Sequence, residues 1–289
     1  MGRVLHNVIA IFFALASAIV VAWGTVIRHR IALEASGAVM RTAMGNPLWW
    51  VGTGAAVLAY ALQLVALAFG TLLVVQPVLV LSLMFTLPLS AWYSKRRMPG
   101  HEIFWCVALT LAVGILVLYG RPQASEENPT WSDWWPALLV GAVLLIGLAI
   151  AGVQWHKYRA LAFGTACGII YGYVALLAKG ATTELTHGGI GSLLTSWHLY
   201  ALIALAGTGT VVQQYSFHAG PLTHSLPAMT IAEPILAFGM SYWVLGEKFS
   251  VSSAAGWAVM ATALAVMILA TIVLARVPVG PRPAQSAAK

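Results

Sequence analysis

Charge is what this chain has least of. Only 8% of its 289 residues are Asp, Glu, Lys or Arg, while 60% are hydrophobic, and the mean hydropathy is +0.86. A soluble domain carries about 25% charged residues and about 45–50% apolar ones. No water-soluble core of this length hides so much apolar surface, which excludes a soluble enzyme and implies a chain that crosses the membrane several times. Cysteine is nearly absent. Cys106 and Cys167 both lie inside apolar runs, which excludes a disulfide framework and a thiolate metal cluster. No HExxH, phosphate-binding loop, nucleophile elbow or clustered Cys/His pattern occurs. The chain is therefore read as a non-enzyme without a cofactor.

Long apolar runs, by contrast, are plentiful. They fall at about 5–27, 48–69, 71–93, 102–120, 134–153, 159–178, 197–217, 221–245 and 252–275, each long enough to span a hydrocarbon core. Arg3 and Ala16-Ser17-Ala18 mimic a secretory signal, but the run continues to Ile27 and ends in Arg28-His29-Arg30, which reads as a retained span. The segment from Arg28 to Asn46 is too charged for a tenth span and is expected to form at most an interfacial helix. Nine spans put the termini on opposite sides. Of the fifteen basic residues, eleven fall on one side (Arg28, Arg30, Arg41, Lys95, Arg96, Arg97, Lys157, Arg159, Arg276, Arg282, Lys289) and four on the other (Arg3, Arg121, Lys179, Lys248). The positive-inside rule then places the C-terminus in the cytoplasm and the N-terminus outside, in a plasma (inner) membrane. The same rule accounts for the net charge of +7 without a nucleic-acid partner.

An internal repeat appears at an offset of 150 residues. Ala10, Phe13, Ala16 and Ile19 match Ala160, Phe163, Ala166 and Ile169, and Gln63, Gly70, Leu72 and Pro77 match Gln213, Gly220, Leu222 and Pro227. The pattern Q-x6-G-x-L-x4-P thus occurs twice. Span 1 aligns with span 6, five crossings later, so the copies enter the membrane from opposite sides. The expected fold is all-α: nine transmembrane helices forming two inverted-topology four-helix repeats, residues 1–120 and 159–275. A linker region, 121–158, contains the fifth helix, and a cytoplasmic tail covers 276–289. Inverted repeats are the architecture of alternating-access carriers, with the site at the repeat interface near the midplane.

The stretch from Asn46-Pro47-Leu48-Trp49-Trp50-Val51-Gly52 through Gln63, Gly70 and Pro77 resembles the drug/metabolite transporter superfamily. Within it the nearest likeness is to the NIPA-type magnesium transporters, which have a similar Pro-Leu-Trp-Trp-x-Gly lead-in to the second span and nine spans. Gly220-Pro221-Leu222 to Leu245-Gly246-Glu247 resembles the EamA-type halves, whose corresponding helix ends in a Gly-Glu pair. Each four-span half also resembles a small multidrug resistance protomer. Those proteins carry a glutamate in the first span, and this chain has no acid in span 1 or span 6, so that residue's proton-coupling role does not transfer.

Glu233 is the one acid that the sequence buries within a span. It lies about eleven residues, or roughly 16 Å, inside span 8, where a charge costs about 2.5–3.5 kcal/mol on insertion scales and faces a cavity or a partner. Two readings stand: a proton or cation site or counter-ion, or a protonated packing residue. Pro227 and Pro234 bracket it, and Pro77 and Pro88 lie on span 3. Such residues free backbone carbonyls, and broken helices at matching positions of two repeats point to a binding site. Gln63, Gln76, Gln213 and Gln214 suit substrate binding or interhelical bonding alike. Tyr60 shares a helical face with Gln63, and Tyr171 lies in the first span of the second half. Glu233 is expected to face a cavity between the halves near span 1 or span 3, within reach of Gln63, Gln76 or Gln213. Gly70 and Gly220 are candidate hinge positions. His218 and His224 are conceivable pH sensors but read more simply as loop residues. Trp49, Trp50, Trp134, Trp135 and Trp197 are expected as interfacial anchors.

The sequence therefore reads as an alternating-access carrier of a small organic solute or metabolite. The resemblance to NIPA-type proteins implies the alternative of magnesium or another divalent cation, for which Glu233 would be the metal residue, although Mg²⁺ prefers several hard oxygen ligands. A membrane scaffold or lipid-handling protein is a third reading. Monomer and homodimer both stay open.

Overall fold

Apolar segments without interior charge satisfy their backbone in a membrane only by coiling into helices, and helices are what these segments form. A computed structural model describes residues 2–34, 47–95, 97–125, 129–219 and 222–277. In chain order it contains α1 (Gly2–Glu34), α2 (Pro47–Phe69), α3 (Leu72–Val80), α4 (Ser82–Tyr93), α5 (Gly100–Gly114), α6 (Trp131–Gln154), α7 (Arg159–Thr195), α8 (Trp197–His218), α9 (Leu222–Val244) and α10 (Ala254–Ala275). A π-turn, Ile115–Tyr119, extends α5, and a 3-10 turn, His156–Tyr158, precedes α7. Among the described residues there is no strand, and a single antiparallel bridge joins Gln123 to Lys248.

Among the described residues, seven segments are long and apolar enough to cross a membrane: Leu5–Ile27, Trp50–Phe69, Leu72–Tyr93, Gly100–Tyr119, Trp131–Gln154, His156–Thr195 and Ala254–Ala275. The helices α8 and α9 occupy the places expected of the seventh and eighth spans but are not among those seven. Both are more polar, with Thr208, Thr210, Gln213, Gln214 and Ser216 on α8 and Ser225, Thr230 and Glu233 on α9.

Three boundaries differ from the sequence reading. The span expected at 159–178 continues as helix to Thr195, interrupted only at Gly189, whose φ of 72° is a left-handed conformation that suits glycine. The third span is two helices broken at Leu81, between Pro77 and Pro88. The first helix runs past Arg28 to Glu34; the rest of the possible interfacial segment lies outside the described residues.

The helix α1 packs along α2, α3 and α4, and α7 packs along α8 and α9. The two groups meet through α5 against α10, α3 against α9, and α2 against α7. Small residues set the spacing. Ala10, Ala14, Ala18 and Ala22 form a fully buried stripe on α1, while Gly164, Gly168 and Gly172 repeat at the same four-residue interval on α7. Such stripes let membrane helices approach closely where no hydrophobic effect drives them together. One hydrogen bond recurs at the repeat offset. Ser17 Oγ donates to Ala59 O at 2.7 Å, and Cys167 Sγ donates to Gly209 O at 3.7 Å. Each bond spans 42 residues, and 150 residues separate the two.

Of the expected tryptophan anchors, Trp50 and Trp135 are exposed, but Trp134 is only 1% exposed. It packs edge-on against Trp197 and His198, with ring centroids 5.1 and 5.0 Å away, so it seals α6 onto α8 rather than standing at an interface.

Candidate functional site

Three helices converge on Glu233. The glycine stripe of α7 brings the α9 backbone closer than any side chain would allow. A β-carbon on Gly168 would lie 2.5 Å from Met229 O and 3.1 Å from Glu233 N, and one on Gly172 would lie 3.0 Å from Glu233 O. Glu233 is thereby held against α7, partly buried, within electrostatic reach of Cys167 and Tyr171 on α7 and of Tyr60 on α2. The Tyr60 hydroxyl is buried and has no hydrogen-bond partner among the described residues. Tyr171 Oη donates to Gln213 Oε1 at 3.4 Å. Gln213 Nε2 and Cys167 Sγ each lie 3.4 Å from Met229 Sδ.

The cluster thus offers one carboxylate, two phenols, one amide and a thiol–thioether pair. A carboxylate beside aromatic rings suits a positively charged group with an apolar body, since the ring faces and the acid both attract it. The set is sparse for Mg²⁺, which takes hard oxygen ligands. Among the described residues, no three His, Cys, Asp or Glu side chains come together as metal ligands would.

Of the residues singled out from sequence, Glu233, Tyr60, Tyr171 and Gln213 come together. The ionisable neighbours that Glu233 reaches, Tyr60, Cys167 and Tyr171, lie on spans 2 and 6, while α9 itself also packs against α3 of span 3. Gln63 is partly buried one turn beyond Tyr60, and Gln214 is exposed. Gln76 is 2% exposed on α3, and its Nε2 has no partner among the described residues. Pro77, Pro227 and Pro234 are buried, and α9 continues through both of its prolines. Gly70 sits where a β-carbon would come 2.4 Å from Ala10 Cβ. Gly220 and the side chains of His218 and His224 lie outside the described residues.

Sequence reasoning missed two residues and undercounted the buried acids. Glu102 is 0% exposed and Glu247 1% exposed, so Glu233 is not alone. Glu247 Oε1 accepts from the Leu72 N–H at 2.9 Å, and Oε2 accepts from the Leu73 N–H at 3.0 Å and from Ser241 Oγ at 2.5 Å. Burial pushes the Glu247 carboxyl up, while Lys179 and these hydrogen bonds pull it back. Lys179 Nζ donates to Leu67 O at 2.7 Å and to Gly70 O at 2.8 Å. The two charges therefore cap opposite sides of one chain break: a cation at the C-terminal carbonyls of α2 and an anion at the N-terminal amides of α3, as the helix dipoles favour. The available signals were the Gly246-Glu247 pair closing an apolar helix, where Gly246 takes a φ of 63°, and a lone lysine in a run otherwise free of charge.

No family model matches the chain, and no solved structure matches it. An uncharacterized protein of Corynebacterium glutamicum is 51% identical over 277 residues, covering 93% of this chain and 96% of its own length. Two proteins of Arabidopsis thaliana described as probable magnesium transporters, NIPA3 and NIPA4, are 22% and 21% identical over 71% of this chain. The matched region is 60% and 64% of their own lengths.

Proposed function

The chain belongs to the same family as the Corynebacterium glutamicum protein, and we propose that it is a secondary carrier working by alternating access on a small, positively charged organic solute. That it is a multi-pass membrane protein with transporter relatives rests on its apolar helices and on the plant proteins. The substrate reading rests on one observation: a partly buried carboxylate, Glu233, shares its surroundings with Tyr60 and Tyr171 and, among the described residues, belongs to no cluster of three metal-ligating side chains. Glu233 would be the counter-ion, Tyr60 and Tyr171 the aromatic walls, and Gln213 a hydrogen-bonding partner. Gln63 and Gln76 would complete the site as the halves move.

The nine-span, inverted-repeat architecture belongs to the same proposal. It draws support from the hydrogen bonds Ser17–Ala59 and Cys167–Gly209 and from the corresponding contacts of α1 with α2 and of α7 with α8. In it, residues 1–120 and 159–275 are the rocking halves, 121–158 the linker region and 276–289 a cytoplasmic tail. The membrane is the plasma (inner) membrane, with the N-terminus outside. Cysteines introduced at Ser94 and Ser125 are expected to label from opposite sides; labelling from one side refutes the inversion.

A second reading, divalent cation transport, is favoured by the description of the plant relatives. Proteoliposome uptake separates the two. A panel of radiolabelled organic cations and Mg²⁺ would be offered to the parent and to Glu233→Gln, which keeps the shape but removes the charge. Uptake of an organic cation that Glu233→Gln abolishes is the expected result; Mg²⁺ uptake alone would replace the organic-solute reading with the second.

A further inference from the structure

Lys179 and Glu247 both belong to the second repeat, yet all four backbone groups that they hold belong to the first. Between those groups lies only the short break from Phe69 to Thr71, with Thr71 4% exposed. We propose that this pair is the latch that closes one end of the carrier: Lys179 and Glu247 act as positioning residues for transport by locking the α2–α3 turn onto the second repeat. The role presupposes the alternating-access reading above.

Three observations support a latch over a static staple. The contact crosses between the repeats, so any rocking of one against the other must break it. The offset of 150 residues does not reproduce the anion: Arg97, which matches Glu247, is basic and exposed and cannot accept helix amides. And the helix it positions, α3, packs against α9, which bears Glu233, and carries the buried Gln76, whose Nε2 has no partner among the described residues. Opening would strand both charges unless water enters as they part, since a buried charge without its partner is strongly unfavourable. The latch therefore has two stable settings, closed and dry or open and wet, which is what a gate requires.

The test is the rate at which a water-soluble maleimide labels Thr71→Cys in the purified full-length protein. The same variants without that cysteine read the background from Cys106 and Cys167, which are 7% and 0% exposed. Glu247→Gln and Lys179→Met are each expected to speed labelling about tenfold or more, the factor that follows from losing a hydrogen bond to a charged group. Lys179→Arg keeps donors for both carbonyls and is expected to label as slowly as the parent. Exchanging the charges, Glu247→Lys with Lys179→Glu, restores mutual attraction but puts each sign at the wrong helix end, and is expected to stay fast. Parent-like rates in Glu247→Gln and Lys179→Met overturn the proposal, as does slow labelling in the exchanged pair, which would mean a plain ion pair. If Glu247→Gln also exposes Cys106 and Cys167, Ser241→Ala decides. Faster labelling confined to Thr71→Cys supports the latch, and the parent rate overturns it. Labelling needs no substrate, so it separates a failed latch from a failed carrier reading.

Discussion

Two glycines in membrane helices should respond in opposite directions to the addition of one methyl group. On α7, a β-carbon at Gly168 would sit 2.5 Å from Met229 O and 2.7 Å from Ala232 Cβ. Ordinary contact begins at 3.4 Å, and two of the atoms met are backbone, which cannot turn aside as a flexible side chain does. The α7–α9 pair must part by almost an ångström. Overpacking of this kind costs about 1–3 kcal/mol, of which the better helix propensity of alanine returns about 0.5–1 kcal/mol. On α6, Gly147 meets nothing within 4 Å, so Gly147→Ala collects the propensity gain alone. The two single-methyl variants should therefore differ by about 1–3 kcal/mol in unfolding free energy, with Gly168→Ala below the parent and Gly147→Ala at or above it. Denaturant unfolding in detergent, followed by circular dichroism, measures the difference directly. A Gly168→Ala protein as stable as Gly147→Ala would refute the close docking of α9 on α7, and with it the physical account of how Glu233 is held. Uptake should separate the variants as well, since parting α7 from α9 moves the carboxylate away from Tyr171 and Cys167.

Gly70→Ala should destabilise by about 1–3 kcal/mol through its clash with Ala10 Cβ. Combining it with Ala10→Gly should recover most of that loss; unfolding of the single and double variants tests the coupling. Ser17→Ala should cost about 1 kcal/mol because it removes the bond to Ala59 O. Cys167→Ala should cost less through its own bond, because a thiol is a weak donor; equal losses in the two unfolding curves would count against that ranking. Trp134→Phe keeps most of the ring packing against Trp197 and His198 and should destabilise far less than Trp134→Ala, for which about 3–5 kcal/mol is expected. A small loss for both, read from thermal unfolding, would argue against a buried seal between α6 and α8.

The helices were legible because each apolar run had one way to satisfy its backbone in a membrane, and the composition allowed no other class. The matches at an offset of 150 residues were legible in Gln63, Gly70 and Pro77 because those residue types are rare in such runs. Ser17 and Cys167 were not, since a hydroxyl and a thiol look unrelated until both are seen bonding a carbonyl 42 residues away. Glu233 was singled out by its depth within an apolar run alone. Its neighbours were not, because spacing along one helix says nothing about which face a neighbouring helix presents. That was decided by the Gly164, Gly168 and Gly172 stripe, a packing signal that the sequence carries openly.

The latch shows a different kind of concealment. Lys179 sorts by side with the loop charges, and Glu247 reads as closing a helix, because each stands at the edge of an apolar run, the normal place for a solvated residue. Their placement depends on a break in the chain at Gly70, more than a hundred residues away, which leaves helix carbonyls and amides with no intrahelical partner. Unsatisfied helix ends inside a membrane protein require charges or dipoles from elsewhere in the fold. The Gly70 break on its own therefore calls for polar partners from elsewhere in the fold, and in a chain with so few charges Lys179 and Glu247 are the ones that supply them.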